Sequence, residues 1–551
     1  MCVDEKFVTL RNISSKMNAS RNFVFSIGLA GLSGLATGLA FPPARWSWLV
    51  WVGLVPLLES ITHPSRLRDV FWLGILAGYI FFLLTLYPLI SADSWMGWAV
   101  EGSDQFWARL TRQWWMLRIL WLSLALWGSL FWGLWALLVR MLSQAGRWYR
   151  VWLVPSLWIL VPEWLRAQTT WGFQWAFLGN ATADWPAIRQ TAALGGTLFV
   201  SGFVVLVNVG VADGLQLWPK RLRWQSLLLV AAVMGLVVWW GSTPMRRLPS
   251  ETRVRAAFIQ QHQPVYQPGD FSAAGLDRTY LSGIQHALDQ GAQLVVLPES
   301  IVFGSVSLDG TRSASQPQET LRQPDALIQQ FQPLLTNLES TVVLGTNTVE
   351  HGQDYNSLIA WNGRGLVGWY HKRRLVPFAE YQPWKVPGLL RGASQYAQGQ
   401  GSQLIRSGEL VLGGLICQEV LFPSLARASV RDGATVLISA GNDGVFMNPA
   451  VAQVEADAAR LLAVETGRYI IRAMKIGVSA IIDPTGRELA HSRFDEIALR
   501  VAEVAPQRAL TAYVRFGDWI VWCALIVVLG CGFLQLRCGS RGPAPNRSAQ
   551  R

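Results

Sequence analysis

Charge is scarce in this sequence of 551 residues. Only 15% of its residues are Asp, Glu, Lys or Arg, whereas soluble proteins carry about a quarter. Hydrophobic residues make up 51% of the chain, and the mean hydropathy is positive at +0.27. A composition this poor in charge does not match a soluble globular protein, and we expect an integral membrane protein.

Cysteine is also scarce, and its distribution argues against a disulfide framework. Cys417 is the only cysteine between residues 240 and 519, while the others lie near the N-terminus or in and beside the last apolar run: Cys2, Cys523, Cys531 and Cys538. The sequence has no zinc-type spacing, phosphate loop or GxGxxG motif, so we expect no metal and no cofactor. A lone thiol after a strand-like segment is either an inert buried side chain or a nucleophile.

Eight apolar runs approach the length of roughly 17–25 residues that crosses a bilayer as a helix. They cover residues 23–41, 46–61, 70–90, 119–141, 151–165, 196–217, 225–240 and 519–536. The second and the fifth are short, so each is either a span or a re-entrant or core helix. We expect eight spans, of which the first is uncleaved, and most of the 29 tryptophans in interfacial belts.

The formal charge of +12 follows the expected topology. Lys and Arg accumulate near span ends on the cytoplasmic side of a membrane. In an eight-span arrangement the basic clusters all fall on one side, at residues 6–21, 66–68, 140–150, 220–223 and 537–551. Both termini are therefore predicted to be cytoplasmic, and the long polar segment faces the opposite compartment. We expect the lipid bilayer as a partner and no nucleic acid.

The chain divides into a tail (1–22), a seven-span region (23–242), a linker (243–252), a polar domain (253–508), a last helix (517–536) and a basic tail (537–551). In the polar domain, apolar runs rich in β-formers alternate with helical patterns such as 273–289 and 449–465. That alternation predicts an α/β fold with sheets covered by helices. The pair Asn362-Gly363 between two strand-like runs predicts a hairpin.

Three segments of this domain place chemically active side chains after strand-like runs. Glu299 follows LVVLP, Lys372 follows the hairpin, and Cys417 closes GGLIC. Side chains at strand ends emerge into a shared crevice, where they would supply a general base, a cation for an oxyanion and a nucleophile. Each also has an inert interpretation, as a solvated glutamate, a charged turn and a buried thiol. We predict that the three act together, with Glu380 and Glu419 close by.

The motif strings resemble those of a known family. DYNSL (354–358), HKRRLVPFAEYQP (371–383) and ICQEVLFP (416–423) are similar to motifs of the nitrilase superfamily, and GNDGVF (441–446) extends the likeness. Seven predicted spans before the domain and one after it narrow the resemblance to the superfamily's membrane branch, the apolipoprotein N-acyltransferase family. The resemblance implies an α-β-β-α sandwich inserted between the helices of an eight-span membrane domain. It also implies the bacterial inner membrane, with the sandwich in the periplasm.

The resemblance also implies a reaction and roles for individual residues. Cys417 would take an acyl chain from a phospholipid donor as a thioester and pass it to the N-terminal amine of a diacylglyceryl-modified lipoprotein. Glu299 would accept the thiol proton and later the amine proton, and Lys372 would stabilise the oxyanion. Glu380 would orient Lys372 or assist as a second carboxylate, and Glu419 would support the site.

Aromatic and polar residues near these motifs are candidates for substrate contact: Trp171, Phe173, Trp175, Tyr381, Trp384 and Gln418. Other functions stay open beside the acyltransferase. A membrane-bound nitrilase-type amidase or hydrolase would use the same residues and pass the thioester to water, and an N-acyltransferase could use a different amine. A non-enzymatic transporter or scaffold is disfavoured, because transporters tend to carry ionisable residues at mid-membrane and these runs are nearly free of charge.

Overall fold

The computed structural model describes residues 23–63, 66–91, 106–143, 149–169, 172, 174–215, 220–243, 252–261, 278–302, 304–312, 321–322, 333–335, 340–377, 379–381 and 395–539. The predicted tail 1–22, most of the linker 243–252 and nearly all of the tail 537–551 lie outside these residues.

The N-terminal half is helical, as its apolar runs predict. Its helices are α1 (Phe23–Leu39), α2 (Val55–Ser60), α3 (Leu67–Leu86), α4 (Phe106–Leu142), α5 (Arg150–Trp158), α6 (Pro186–Gln190), α7 (Ala192–Leu215) and α8 (Lys220–Ser242). After α5 the helix continues as a π-turn, Ile159–Leu165, which contains Pro162. Proline has no backbone N–H to donate, so it interrupts the regular ladder of helical hydrogen bonds at this point.

Helix α7 is broken near its start by a glycine pair. Gly195 and Gly196 have non-helical backbone angles, and Gly196 has a φ of +72°. Only glycine adopts such angles without strain, so the pair allows the chain to turn before the apolar part of the helix begins. The break leaves the backbone N–H of Thr197 free to bind a side chain from the second half of the protein.

Four helices in the described part of the chain are long and apolar enough to cross a membrane: Leu67–Ser91, Leu117–Leu142, Ala192–Leu215 and Trp519–Arg537. Shorter apolar helices cover Phe23–Leu39, Ser47–Ser60 and Leu227–Ser242. The count of eight spans therefore stays a prediction. The run 46–61 forms two short helices, Ser47–Trp51 and Val55–Ser60.

The polar domain contains two sheets. Its strands are β1 (Val254–Gln260), β2 (Leu294–Val296), β3 (Ser305–Ser307), β4 (Leu321–Arg322), β5 (Thr341–Glu350), β6 (Gln353–Asn362), β7 (Gly365–His371), β8 (Ile405–Ser407), β9 (Leu410–Ile416), β10 (Val436–Gly441), β11 (Tyr469–Met474), β12 (Ala480–Ile482), β13 (Glu488–His491) and β14 (Ala498–Val504). The helices of this half are α9 (Arg278–Asp289), α10 (Pro423–Arg431), α11 (Pro449–Thr466), α12 (Ala512–Phe516) and α13 (Trp519–Gly539).

The two sheets have mixed topology. The first has the order β14-β1-β2-β5-β3-β4, and β6 joins β5 to β7; the second has the order β13-β12-β11-β10-β9-β8. The predicted hairpin is present as β6 and β7, with Asn362 paired to Gly365. The Asn362 side chain accepts a hydrogen bond from the backbone N–H of Arg364 at 2.9 Å, which stabilises the turn.

The sheets pack face to face, and most of their strands are buried at nearly every position because both faces of each sheet are covered. Phe258 and Val296 of the first sheet share one core with Ile438 and Ile471 of the second. The outer face of the first sheet is covered by α9. The outer face of the second is covered by α10 and α11, and that core continues into α7. The predicted α-β-β-α sandwich is confirmed, and one of its helical layers lies directly on the membrane helices.

Candidate active site

Cys417 lies at the carboxyl end of β9, at the start of the short 3₁₀ helix Cys417–Leu421. Its φ is +54°, in the left-handed region that residues other than glycine seldom adopt. The neighbouring strand approaches closely, since a Cβ added to Gly441 would lie 3.1 Å from the Cα of Cys417. Cys417 is partly exposed, unlike most free cysteines, and it sits where side chains of adjacent parallel strands meet.

Lys372 follows β7 and is only 1% exposed. Its Nζ donates to Oε1 of Glu380 at 2.8 Å. The backbone holds the lysine at both sides, because its N–H donates to the carbonyl of Asn356 at 2.8 Å and its carbonyl accepts from Gly399 at 2.9 Å. A buried ammonium with a paired carboxylate stays charged, so the site contains a fixed cation.

Glu299 follows β2 and is bound by a residue of the hairpin. Its Oε1 accepts from Nδ2 of Asn356 at 2.6 Å, and the same Nδ2 donates to Oε1 of Glu380 at 2.9 Å. Asn356 therefore places two carboxylates on either side of one amide nitrogen. Glu380 is further held by the backbone N–H of Val376, which donates to its Oε2 at 2.8 Å.

The charges of these groups act on one another. Although Cys417 is only partly buried, the protein packed around its thiol excludes enough water to raise the pKa well above its ordinary value; the charge of Lys372 lowers this pKa, and that of Glu299 raises it. Burial likewise raises the pKa of Glu299, against the lowering effect of Lys372. For Lys372, burial acts to lower the pKa, but Glu380, Cys417 and Glu299 together raise it above its ordinary value. The arrangement brings a thiol, a carboxylate base and a permanent cation into one cluster.

Glu419 is fully buried and links the segment of Lys372 to that of Cys417. Its Oε1 accepts from the backbone N–H groups of Arg373 and Arg374 at 2.7 and 2.8 Å. Its Oε2 accepts from the backbone N–H of Ile416 at 2.8 Å and from the hydroxyl of Tyr370 at 2.8 Å. These bonds hold the backbone just after Lys372 against the backbone just before Cys417.

A second buried group of charges lies beside the thiol. Nη2 of Arg472 is 2.8 Å from Oε2 of Glu455 and 3.5 Å from Oδ2 of Asp443. Burial, and then the charge of Glu455, raise the pKa of Asp443 well above its ordinary value. Asp443 and Glu455 both act on the pKa of Cys417, so this group contributes to the electrostatics of the site.

The predicted substrate-contact residues have different outcomes. Gln418 follows Cys417 and is partly exposed, and Tyr381 forms an isolated bridge with Pro377. Trp175 is buried among the helices, where its Nε1 donates to the carbonyl of Thr85 at 2.8 Å. Three lie outside the described residues: Trp171, Phe173 and Trp384. Among the residues that the structure describes, no group of His, Cys, Asp or Glu could hold a metal ion.

Four functional candidates were missed at the level of the sequence: Asn356, Asp443, Glu455 and Arg472. Asn356 is the third residue of DYNSL, a string already noted for its resemblance, and it is buried in β6. Asp443 belongs to GNDGVF in the same way. Glu455 offered no signal of its own, since a glutamate on a helix is usually solvated.

Two loops next to the site contact the ends of membrane helices. Nδ2 of Asn448 donates to Oγ of Ser91, just beyond α3, at 3.0 Å. The guanidinium of Arg374 lies so close to Gly172 that a Cβ there would collide with it. The loops that border Cys417 and Lys372 therefore lie at one end of the helical half.

Two family models match the chain. One, described as carbon-nitrogen hydrolase, matches residues 255–512, and the other, described as apolipoprotein N-acyltransferase N-terminal domain, matches residues 33–210. The chain is 31% identical to the apolipoprotein N-acyltransferase of Gloeobacter violaceus, over 97% of this chain and 99% of that protein. It is 29% identical to the enzyme of the same name from Caulobacter vibrioides, over 94% of this chain and 96% of that protein.

Solved structures also match about half of the chain. One is an amidase from Nesterenkonia sp., which is 19% identical, covers 52% of this chain and 100% of its own, and has a TM-score of 0.36.

Proposed function

This chain belongs to the apolipoprotein N-acyltransferase family, and on that premise we propose that it transfers a fatty acyl chain from a membrane phospholipid to an apolipoprotein. The acyl group would be held as a thioester on Cys417 between the two steps. The acceptor would be the N-terminal amine of a diacylglyceryl-modified cysteine. Catalysis would rest on Glu299, Lys372 and Cys417, with Glu380 and Glu419 as positioning residues.

In the first half-reaction, Glu299 accepts the proton of the Cys417 thiol as the sulfur attacks the ester carbonyl of the phospholipid. The carbonyl oxygen becomes an oxyanion, which the ammonium of Lys372 stabilises. Collapse of this intermediate breaks the ester C–O bond, and Glu299 returns its proton to the departing oxygen of the lysophospholipid. The acyl chain is then held on the sulfur as a thioester.

In the second half-reaction, the neutral amine of the acceptor attacks the thioester carbonyl. Glu299 accepts a proton from the nitrogen, Lys372 again stabilises the oxyanion, and the C–S bond breaks. The proton on Glu299 passes to the departing thiolate, which restores the free thiol and leaves an amide on the acceptor. The acceptor must lose its extra ammonium proton before attack, so the reaction favours neutral to alkaline pH.

The observation that carries the proposal is the position of the cluster relative to the membrane helices. Asn448, five residues after Asp443, bonds to Ser91 at the end of α3, and Arg374, two residues after Lys372, touches Gly172. Both substrates carry long acyl chains, and each exposed CH₂ group costs about 0.8 kcal/mol in water. A thiol at the end of the membrane helices lets those chains stay in lipid during the reaction.

The chain is a membrane protein, and we propose the bacterial inner membrane as its location. The carbon-nitrogen hydrolase domain would face the periplasm, with both termini cytoplasmic. That orientation follows from the basic clusters at the span ends and matches the side on which exported lipoproteins are found.

The test uses the full chain in detergent micelles with a phospholipid that carries labelled acyl chains. Label should remain on the denatured protein and be released by neutral hydroxylamine, which cleaves thioesters. Cys417→Ala should abolish the label, and Cys523→Ala, which changes an exposed cysteine of α13, should leave it unchanged. Full labelling of the Cys417→Ala variant would refute the mechanism.

Addition of an acceptor then separates the possible reactions. Transfer of label to the N-terminal amine of a diacylglyceryl lipopeptide, seen by mass spectrometry, supports the proposed function. Release as free fatty acid in the presence of that lipopeptide would instead indicate a hydrolase. Transfer only to an amine without the diacylglyceryl group would indicate an N-acyltransferase with another acceptor.

A further inference from the structure

A cleft of about 540 Å³ lies between the two halves of the protein. It is formed by α6, by the end of α8, by α11 and by the hairpin of β12 and β13. Its lining includes Arg189, Gly241, Thr243, Arg460, Arg487 and Glu488. A cleft of this volume is within the range of small-molecule sites, and it opens where a membrane helix ends.

The lining of the cleft carries more positive than negative charge, with three arginines against Glu488. Arg189 is 4% exposed and is held in place, because its Nε donates to the carbonyl of Thr485 at 3.1 Å and its Nη1 donates to the carbonyl of Ala183. Burial and the neighbouring charge of Arg460 lower the pKa of Arg189 to about 10, against the raising effect of Asp483, Asp184 and Glu488. An anion in the cleft would face three guanidinium groups and the single carboxylate of Glu488.

Arg460 and Arg487 differ in how strongly they are already engaged. Arg460 is already paired with carboxylates: its Nη1 is 2.7 Å from Oδ1 of Asp184 and 3.6 Å from Oδ1 of Asp457, and its Nε is 3.9 Å from Oε1 of Glu488. Arg487 is exposed, at the turn before β13. It is placed to contact a group that enters the cleft from outside, and guanidinium groups bind phosphate oxygens in a bidentate manner.

The helix that ends at the cleft has an exposed apolar face. Leu228, Leu236 and Trp239 of α8 are 65%, 61% and 65% exposed. The spacing of these residues puts them on one side of the helix, and Thr243, which follows the helix and lines the cleft, lies on the same side. In a bilayer, acyl chains would lie against these side chains. The exposed apolar side of α8 therefore ends at the cleft that the arginines line.

We propose that this cleft binds the phosphate of a phospholipid whose acyl chains lie along the exposed face of α8. Glu488 would contact a positive group, where the headgroup has one. The site would be separate from the thiol. Glu455, which acts on Cys417, and Arg460, which lines the cleft, lie five residues apart on α11, about 140° around the helix axis. The inference goes beyond the proposed acyl transfer and does not require it.

The experiment uses the full chain in a maltoside detergent, which contains no phosphate. The probe is phosphatidylglycerol with a diazirine in one acyl chain, and crosslinked residues are mapped by mass spectrometry. We expect crosslinks on α8, near Leu236 and Trp239. Diacylglycerol with the same diazirine chain should crosslink there at least tenfold less, because it has no phosphate.

Two charge reversals make a matched pair. Arg487→Glu should lower the α8 crosslink about tenfold, whereas Arg364→Glu, at an exposed turn of the β6–β7 hairpin, should leave it unchanged. Arg189→Gln is a second variant. Because Arg189 also joins the two halves of the protein, its crosslink is compared with that of the unchanged protein only if the two melting temperatures are equal. Arg487→Glu, which alters an exposed residue, decides the question if Arg189→Gln fails to fold.

Three results would overturn the proposal. Equal α8 crosslinking by diacylglycerol and phosphatidylglycerol would mean that the acyl chains alone bind. An unchanged crosslink in Arg487→Glu would remove the cationic cleft from the interaction. Competition by glycerol 3-phosphate as effective as that by unlabelled phosphatidylglycerol would show a site for soluble phosphate and not for a lipid. Loss of acyl transfer in Cys417→Ala should leave the crosslink in place.

Discussion

Replacement of Glu419 by glutamine should destabilise the carbon-nitrogen hydrolase domain and slow acylation of Cys417. The carboxylate is fully buried and accepts four hydrogen bonds, two on each oxygen. Glutamine keeps one oxygen and replaces the other by an NH₂ group, which can only donate. The two protein groups that donate to the replaced oxygen would then face the NH₂ group, which is also a donor.

The magnitude follows from the bonds that are lost. A hydrogen bond to a charged group contributes about 1.5–3 kcal/mol, so two lost bonds give about 3–6 kcal/mol. Burial raises the pKa of Glu419, which means that desolvation of its charge already offsets part of this gain. We therefore expect the lower end, about 3 kcal/mol, which corresponds to a fall in Tm of about 6–12 °C for a domain of this size.

The assay combines thermal unfolding with the rate of label transfer to Cys417, measured at least 15 °C below the transition. We expect the rate to fall more than tenfold, since Glu419 holds the backbone next to both Lys372 and Cys417. Glu409→Gln is the matched control, because Glu409 lies in an exposed turn before β9. A Tm and an acylation rate equal to those of the control would refute the assigned role of Glu419.

Two further predictions test other parts of the site, and a third tests a contact between the two halves of the protein. Asn356→Ala removes the amide that donates to Glu299 and Glu380, so acyl-enzyme formation should fall about 10–100-fold in a burst assay, and an unchanged rate would contradict its bridging role. Lys372→Met removes the charge that lowers the pKa of Cys417, so the pH profile of thiol alkylation should shift upward. Glu465 of α11 accepts hydrogen bonds from the backbone N–H and the hydroxyl of Thr197 at the start of α7, and burial raises its pKa from 4.5 to about 7. The folded state therefore binds the proton of Glu465 more tightly than the unfolded state does. This should add about 3 kcal/mol to the free energy of unfolding below pH 4.5, and the addition should be lost as the pH rises through about 7. In Glu465→Gln, the free energies of unfolding measured at pH 5 and at pH 8.5 should not show this loss.

The sequence carried enough information for the family and the fold class. Apolar runs and strings such as ICQEVLFP predicted a membrane enzyme with a nitrilase-like sandwich, and the fold and the relatives confirm both. Helix and hairpin positions were also close, as α11 and the β6–β7 pair show. These features depend on local periodicity and turn chemistry, which are written in consecutive residues.

The limits of the sequence are visible in the first half of the chain. The run 46–61 has the hydropathy of a span, but it folds as two short helices. Hydropathy measures whether a segment prefers an apolar surrounding, and lipid and protein interior both satisfy that preference. The number of spans therefore depends on how the helices pack.

The sequence by itself determined which side chains are available: one thiol in the polar domain, a lysine after a hairpin and glutamates after strands. Only the tertiary structure decided that Asn356 lies between Glu299 and Glu380, which are 57 and 24 residues away in the chain. It also decided that Glu455, on a helix, reaches the surroundings of Cys417. The physical reason is that contacts between distant segments follow from the packing of two sheets and a helical layer, and no local pattern of residues encodes that packing.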